Sequence, residues 1–214
     1  MRLKNQYSTR LYIITALLIA LNSTACKAQE ENSAAFKQSN SQPTNNKKSE
    51  VVDDDSVNVS NLKKQPFHKK TLTEPVDSIV VVKRFHHMYV FNKKKLLKVY
   101  RIALGTQPVG PKHVKGDLKT PEGIYYINGE NPFSVAHKSL AISYPNDADR
   151  KYASSLGKSP GGDIKIHGTM NGDEDPAEDT ISEDWTWGCI AITNKEIDEL
   201  YAHIILGSPI NILP

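Results

Sequence analysis

The chain is short of cysteine, of aromatic rings and of long apolar runs. Only Cys26 and Cys189 occur in 214 residues, so no disulfide framework can carry the fold. Aromatic residues make up 7% of the chain, and no Lys/Arg cluster is interleaved with them, which argues against nucleic acid as a partner. The net charge of +3 fits an acidic polymer without requiring one. The apolar run at residues 11–21 falls short of the roughly 20 residues a membrane-spanning helix needs. There is no internal repeat, and the length suits one domain with appendages. The histidines lack a ligand pattern. His86 and His87 are adjacent rather than a helical turn apart, and His113 stands in a Gly/Pro loop, so no metal or other cofactor is expected.

What is present first is an address. Arg2, Lys4 and Arg10 precede the apolar run, and Ser23 and Ala25 are small residues at −3 and −1 before Cys26. Residues 1–28 therefore read as a signal peptide, of the lipoprotein type with Cys26 as the lipidated residue, although the usual Leu at −3 is absent. Ordinary cleavage between Ala25 and Ala28 is the alternative. Both outcomes put the mature protein in the periplasm or cell envelope, the first with a membrane anchor. Both also take Cys26 away as a disulfide partner. Cys189 is then a lone thiol in an oxidising compartment, which calls for a reason.

Residues 29–75 are rich in Asn, Ser, Gln, Lys and Glu and sparse in large aliphatics. Such a composition cannot offset its ordering entropy and reads as a disordered linker, with an r.m.s. span of roughly 35–40 Å. From 76 to 214 the pattern changes to short strands, expected at 77–83, 88–91, 98–104, 123–127, 139–144, 163–167 and 209–213, with Asn92-Lys93 turning the second into the third. Short strands with Gly/Pro-rich turns make the fold mainly β, a β-sandwich or partly open barrel with one or two short helices. One helix is marked by Thr193 and Glu196 at capping-box spacing. Ile197, Leu200, Tyr201 and Ile204 follow on one face, and Gly207 stands as the stop.

Two segments carry chemistry. In residues 162–169, Ile164 and Ile166 alternate toward a core, which turns His167 to the other face at a strand end, with Gly168 next. In residues 185–192, Ile190 and Ile192 do the same, which turns Cys189 outward beside Gly188. An imidazole near pKa 6.5 accepts a proton at neutral pH. A thiol titrating at roughly 8.5 needs help to become the nucleophile, and a neighbouring imidazolium would make thiolate its resting form. Room beside Gly188 would let backbone N–H groups serve as an oxyanion hole. A structural histidine and an inert buried thiol are the alternatives. Together, in an exported chain, the two residues point to a Cys–His enzyme.

His167-Gly168-Thr169 followed by Thr186-Trp187-Gly188-Cys189-Ile190 resembles the HG(T)…(S/T)xGC(I/V) signature of the L,D-transpeptidases with a YkuD-type catalytic domain. Thr120-Pro121-Glu122-Gly123 resembles that family's TPxG turn. The resemblance covers about 77–214. It departs at Trp187, where many members have His, and at Ala191, where many have Arg, and in this it is closer to the YafK-type branch. It implies a cofactor-free enzyme acting on peptidoglycan stem peptides. Cys189 would attack the meso-diaminopimelate carbonyl of a tetrapeptide, and His167 would manage the proton. Backbone at Gly188 and Gly168 would hold the oxyanion, and an amine would resolve the thioester. Hydrolysis of the same bond class is the alternative, and a non-catalytic wall-binding lipoprotein a further one. His137, Ser139, Tyr144, Thr169 and Trp187 are the residues expected to line the substrate cleft, although Tyr144 also suits the core. The acidic stretch with Asp173, Glu174, Asp175, Glu178 and Asp179 reads as a solvated loop or lid.

Overall fold

A computed structural model describes residues 59–62, 65, 71–177, 181 and 183–214. The expected signal segment with Cys26 lies outside these residues, as do most of the expected linker and the acidic residues Glu178 and Asp179.

Among the described residues, eight strands form one sheet: β1 (Ser78–Val82), β2 (His87–Asn92), β3 (Lys95–Arg101), β4 (Gly123–Ser134), β5 (His137–Ile142), β6 (Lys165–His167), β7 (Ile190–Ala191) and β8 (Pro209–Leu213). Their order is β3-β2-β1-β8-β4-β5-β6-β7, with β1–β8 and β6–β7 parallel and the other pairs antiparallel. Two isolated bridges, Ala103↔Ala191 and Gly105↔Thr186, join the chain beyond β3 to the β7 side, so the sheet curls onto itself. Of the two β architectures expected from sequence, the partly open barrel is the one formed.

The curl follows from which residues must leave water. On β1, Ile79 and Val81 face the main core, while Val80 and Val82 face outward and pack with Tyr89 and Val99. Leu62, from the short helix α1 (Val59–Leu62), joins that outer cluster. Both faces of β1 are therefore buried, and its continuous apolar run reflects this. The inner core is closed by Ile197 and Leu200 of α3 (Asn194–His203). Each such side chain contributes on the order of 1.5–3 kcal/mol by burial. The expected cap is present, since Thr193 Oγ1 accepts from the Glu196 N–H and Glu196 Oε2 accepts from the Thr193 N–H.

Several expectations change. The β2–β3 hairpin turns on Lys93 and Lys94, both with positive φ, one residue further along than expected. β4 runs to Ser134 rather than Ile127, because beyond 127 its residues are mostly exposed and leave no apolar alternation to read. α2 (Asp147–Ser155) is a helix that the sequence reading missed. Its capping box pairs Asn146 with Asp149, where the usual signature has Glu or Gln. α3 ends at its C-cap Ile204, and Gly207 instead serves the turn into β8, its N–H donating to Ile127 O. The packed region also reaches back before residue 76. Leu72 is 5% exposed in the main core, and Leu62 is 7% exposed on the outer face. Single leucines among polar residues do not show in an average composition.

Leu72 is held by an unusual convergence. Glu199 on α3 accepts from the Leu72 N–H (2.6 Å), Lys98 Nζ (2.6 Å) and Tyr100 OH (3.0 Å). The Lys98 and Glu199 side chains are 7% and 10% exposed. Removing one partner of a buried pair strands the other charge. Glu199→Ala is expected to cost about 3–5 kcal/mol in urea unfolding and to make the 71–75 segment newly sensitive to protease.

Candidate active site

Two strands and one loop build the site. The β6–β7 ladder is parallel, with Ile166 opposite Ile190 and His167 opposite Ala191. Ile164, Ile166, Ile190 and Ile192 all lie in the main core. His167, next after Ile166, and Cys189, just before Ile190, therefore belong to the other face. Both line a single cleft of about 450 Å³, together with Ser134, Val135 and Ala136 of the β4–β5 turn, Asp163, Lys165, Met170, Trp185, Thr186 and Trp187.

His167 has a fixed tautomer. Its Nδ1 lies 2.7 Å from Gly168 O, and a carbonyl can only accept, so Nδ1 carries the proton and Nε2 holds the lone pair. The ring is 7% exposed and makes an edge contact with Trp185 at 5.5 Å. Burial pushes the imidazole below its ordinary pKa, the Gly168 hydrogen bond opposes that, and the Lys165 charge adds to it. Cys189 is half-buried, and its thiol donates to Asp163 O at 3.7 Å. Burial pushes the thiol above its ordinary range, against the pull of the Lys165 N–H and the Lys165 charge. Both shifts favour uncharged partners. For both groups burial is the largest cause, and it works against the thiolate–imidazolium form expected from sequence.

The nucleophile loop is clamped from behind. A Cβ at position 188 would lie 2.5 Å from Lys119 O, and Gly188 has φ +122°, so only glycine fits there. The Lys119 stretch is itself tied down by buried cations. Lys83 Nζ donates to Thr120 O and Gly110 O and pairs with Glu122, while Lys112 Nζ pairs with Asp117. Asp117 also accepts from the His113, Val114 and Lys119 N–H groups, which holds its carboxyl below the usual range despite burial. Thr186 is the organiser that the sequence reading did not single out. Its buried hydroxyl donates to Cys189 O (2.8 Å) and accepts from the Gly188 N–H (3.1 Å).

The remaining expected site residues divide. Trp187 lies on the cleft and is 83% exposed, so it projects at the mouth. Tyr144 is core, with its hydroxyl donating to Pro160 O and its ring edge-on to Tyr125. His137 reaches Asp198 of α3 (2.8 Å) and does not line the cleft, because its positive-φ turn aims it at the helix. Ser139 pairs in register with His167 but is 1% exposed, and its hydroxyl has no hydrogen-bond partner among the described residues. Thr169 lines a neighbouring acidic pocket instead, with its hydroxyl donating to Asp175. The Gly168 N–H is spent on Ala136 O and Lys138 O, and the Gly188 N–H on Thr186. The expected oxyanion role of these two amides is therefore not available in this arrangement. Gly168 acts through its carbonyl and by close packing, since a Cβ there would meet Asn194 Oδ1 at 2.4 Å. Lys165, absent from the sequence-based set, is on the cleft.

Comparison with known proteins gives a consistent relationship. The family model for the L,D-transpeptidase catalytic domain, YkuD, matches residues 77–212. YafK of Escherichia coli (strain K12), which carries the provisional name of an L,D-transpeptidase, is 32% identical over 121 residues, covering 54% of this chain and 42% of YafK. The match thus spans less than half the length of that relative. Among solved structures, a point mutant of the helical cell shape determining protein Pgp2 from Campylobacter jejuni superposes with a TM-score of 0.50 at 24% identity, over 65% of this chain and 47% of that one. That likeness is one of fold.

Iodoacetamide reacts with thiolate, so the two pKa directions fix a pH profile. Alkylation of Cys189 is expected to be slow at pH 7 and to rise with pH, inflecting above the ordinary thiol value of roughly 8.5. A resting thiolate–imidazolium pair would instead hold the rate level into the acidic range, and a pH series of alkylation rates separates the two.

Proposed function

Because this chain belongs to the L,D-transpeptidase catalytic-domain family, we propose that it is a cysteine-dependent acyl transferase acting on peptidoglycan stem peptides. The observation that carries this reading is the shared cleft, where a half-buried thiol and a tautomer-fixed imidazole face one space.

In the proposed steps both groups start uncharged, the form that burial favours for each. The donor carbonyl, at the L-centre of meso-diaminopimelate in a tetrapeptide, enters beside Cys189. His167 Nε2 takes the thiol proton as sulfur attacks, and the Nδ1–H bond to Gly168 O steadies the imidazolium that forms. The oxyanion is met by the Cys189 amide, with Thr186 holding that turn rigid. D-Ala departs with the proton from His167, leaving a thioester. An amine then attacks, His167 removes its proton and returns it to the departing Cys189 sulfur as the C–S bond breaks, and a cross-link results.

Water resolving the same thioester gives a trimmed tripeptide, and one observation keeps that reading alive. Ala191 is 1% exposed and paired with Ala103, so β7 presents no cation to the cleft where many family members have Arg. The envelope location and the anchor at Cys26 are also proposed, on the sequence pattern alone.

Purified protein incubated with disaccharide-tetrapeptides and read by mass spectrometry is expected to give cross-linked dimers, and Cys189→Ala to give none. Tripeptide monomers would replace transfer by hydrolysis. The absence of both, with no covalent mass gain from a carbapenem, would leave a non-catalytic wall-binding role. In cells, Cys26→Ser is expected to abolish incorporation of radiolabelled palmitate, and unchanged labelling would remove the anchor.

A further inference from the structure

Among the described residues lining the cleft, Lys165 supplies the one cation and Asp163 the one carboxylate. Their ion pair spans 2.7 Å, with Lys165 30% and Asp163 81% exposed. An exposed pair of this kind is weak and easily exchanged. Other cations near the site are already committed. Lys112 is 4% exposed and bound to Asp117 and Val114 O, and Lys119 Nζ donates to Val109 O. β7 contributes none, since Ala191 is turned into the bridge with Ala103.

Position along β6 matters as much as charge. Lys165 and His167 are two residues apart on one strand and so share a face, roughly 6–7 Å apart along it. Ile166 between them enters the core. The Cys189 thiol donates to Asp163 O, two residues before Lys165, and both residues line the same cleft. An anion held by Lys165 therefore lies on the same face of β6 as the group that takes the proton.

We propose that Lys165 is the anchor for a carboxylate of the acyl donor, its ammonium exchanging Asp163 for the substrate's anion as the donor settles against Cys189. This rests on the reading of Cys189 as nucleophile toward a peptide donor. The exchange conserves the number of ion pairs, and a filled cleft excludes water, which strengthens the new pair relative to the exposed old one. A stem tetrapeptide offers this chemistry twice, at its terminal D-Ala and at the second carboxylate of diaminopimelate.

Two alkylating reagents test the anchor without turnover. Iodoacetate and iodoacetamide both need the same thiolate, so the ratio of their rates at Cys189 cancels any change in its acidity and reads anion attraction alone. In the full chain, Lys165→Gln is expected to lower the iodoacetate-to-iodoacetamide ratio by about 3–10-fold, as loss of one nearby charge in a half-open site predicts. Lys165→Arg is expected to keep the ratio, and Asp163→Asn to raise it. A ratio equal in wild type and Lys165→Gln would overturn the proposal. A donor amidated at D-Ala and a donor amidated at diaminopimelate then identify the source. The amide that raises KM in wild type but not in Lys165→Gln marks the carboxylate held, and no effect of either amide would also overturn it. Inactivity toward stem peptides alongside a Lys165-dependent ratio would count against the proposed substrate while supporting the anion site.

Discussion

The site depends on one meeting of backbones: the chain leaving β3 pairs with the segment that carries Cys189. Ala103 and Ala191 exchange N–H···O bonds of 2.9 Å in both directions, and Thr186 and Thr106 continue the contact. β7 is only two residues long, and β6 only three. Strands so short would hold no fixed geometry at a free edge. Bonded on the far side to residues 103–106, they become the rim of a half-closed barrel, and a rim residue can be rigid in its backbone and open in its side chain. Asp184 reinforces the same seam by accepting from the Leu104 N–H while pairing with His86.

Behind that rim the protein pairs its buried charges, and in front of it burial disfavours charge on the cleft's thiol and imidazole. Lys83 and Lys112 are nearly inaccessible, yet each ends on a carboxylate and on carbonyl oxygens, so they act as cross-braces for the loop from 105 to 122. At the thiol and the imidazole, burial is the largest influence and disfavours the charged form of each, with the Lys165 charge acting on both. The result is a stiff wall next to two buried groups, of which the imidazole is held through Nδ1 at Gly168 O.

How much of this the sequence disclosed depends on the range of the cause. Alternation of isoleucines is local, so the outward placement of His167 and Cys189 could be read from residues 164–166 and 190–192. The capping box of α3 is local too. The core position of Tyr144 was one of the two readings open to it, but the contacts that fix Tyr144 and His137, to Pro160 and Asp198, come from residues distant in sequence. Thr186 looked like one letter of a motif until its hydroxyl was seen to bridge Gly188 and Cys189. Lys165 had no signal at all, since a lysine on a short strand acquires meaning only from what faces it. The long arm of β4 was hidden for the opposite reason, because its residues face solvent and carry no pattern.

Gly188 and Trp187 are chain neighbours under opposite rules. At 188 no side chain can be added without moving the Lys119 carbonyl, and that carbonyl sits in a loop braced by buried lysines. At 187 the indole stands largely in solvent and constrains nothing behind it. Inherited variation in what this protein accepts should therefore accumulate at the lip of the groove, through residues such as Trp187, Val135 and Met170. The floor under the sulfur is closed to such drift, and a lineage could change its preferred cargo many times without altering the machinery beneath.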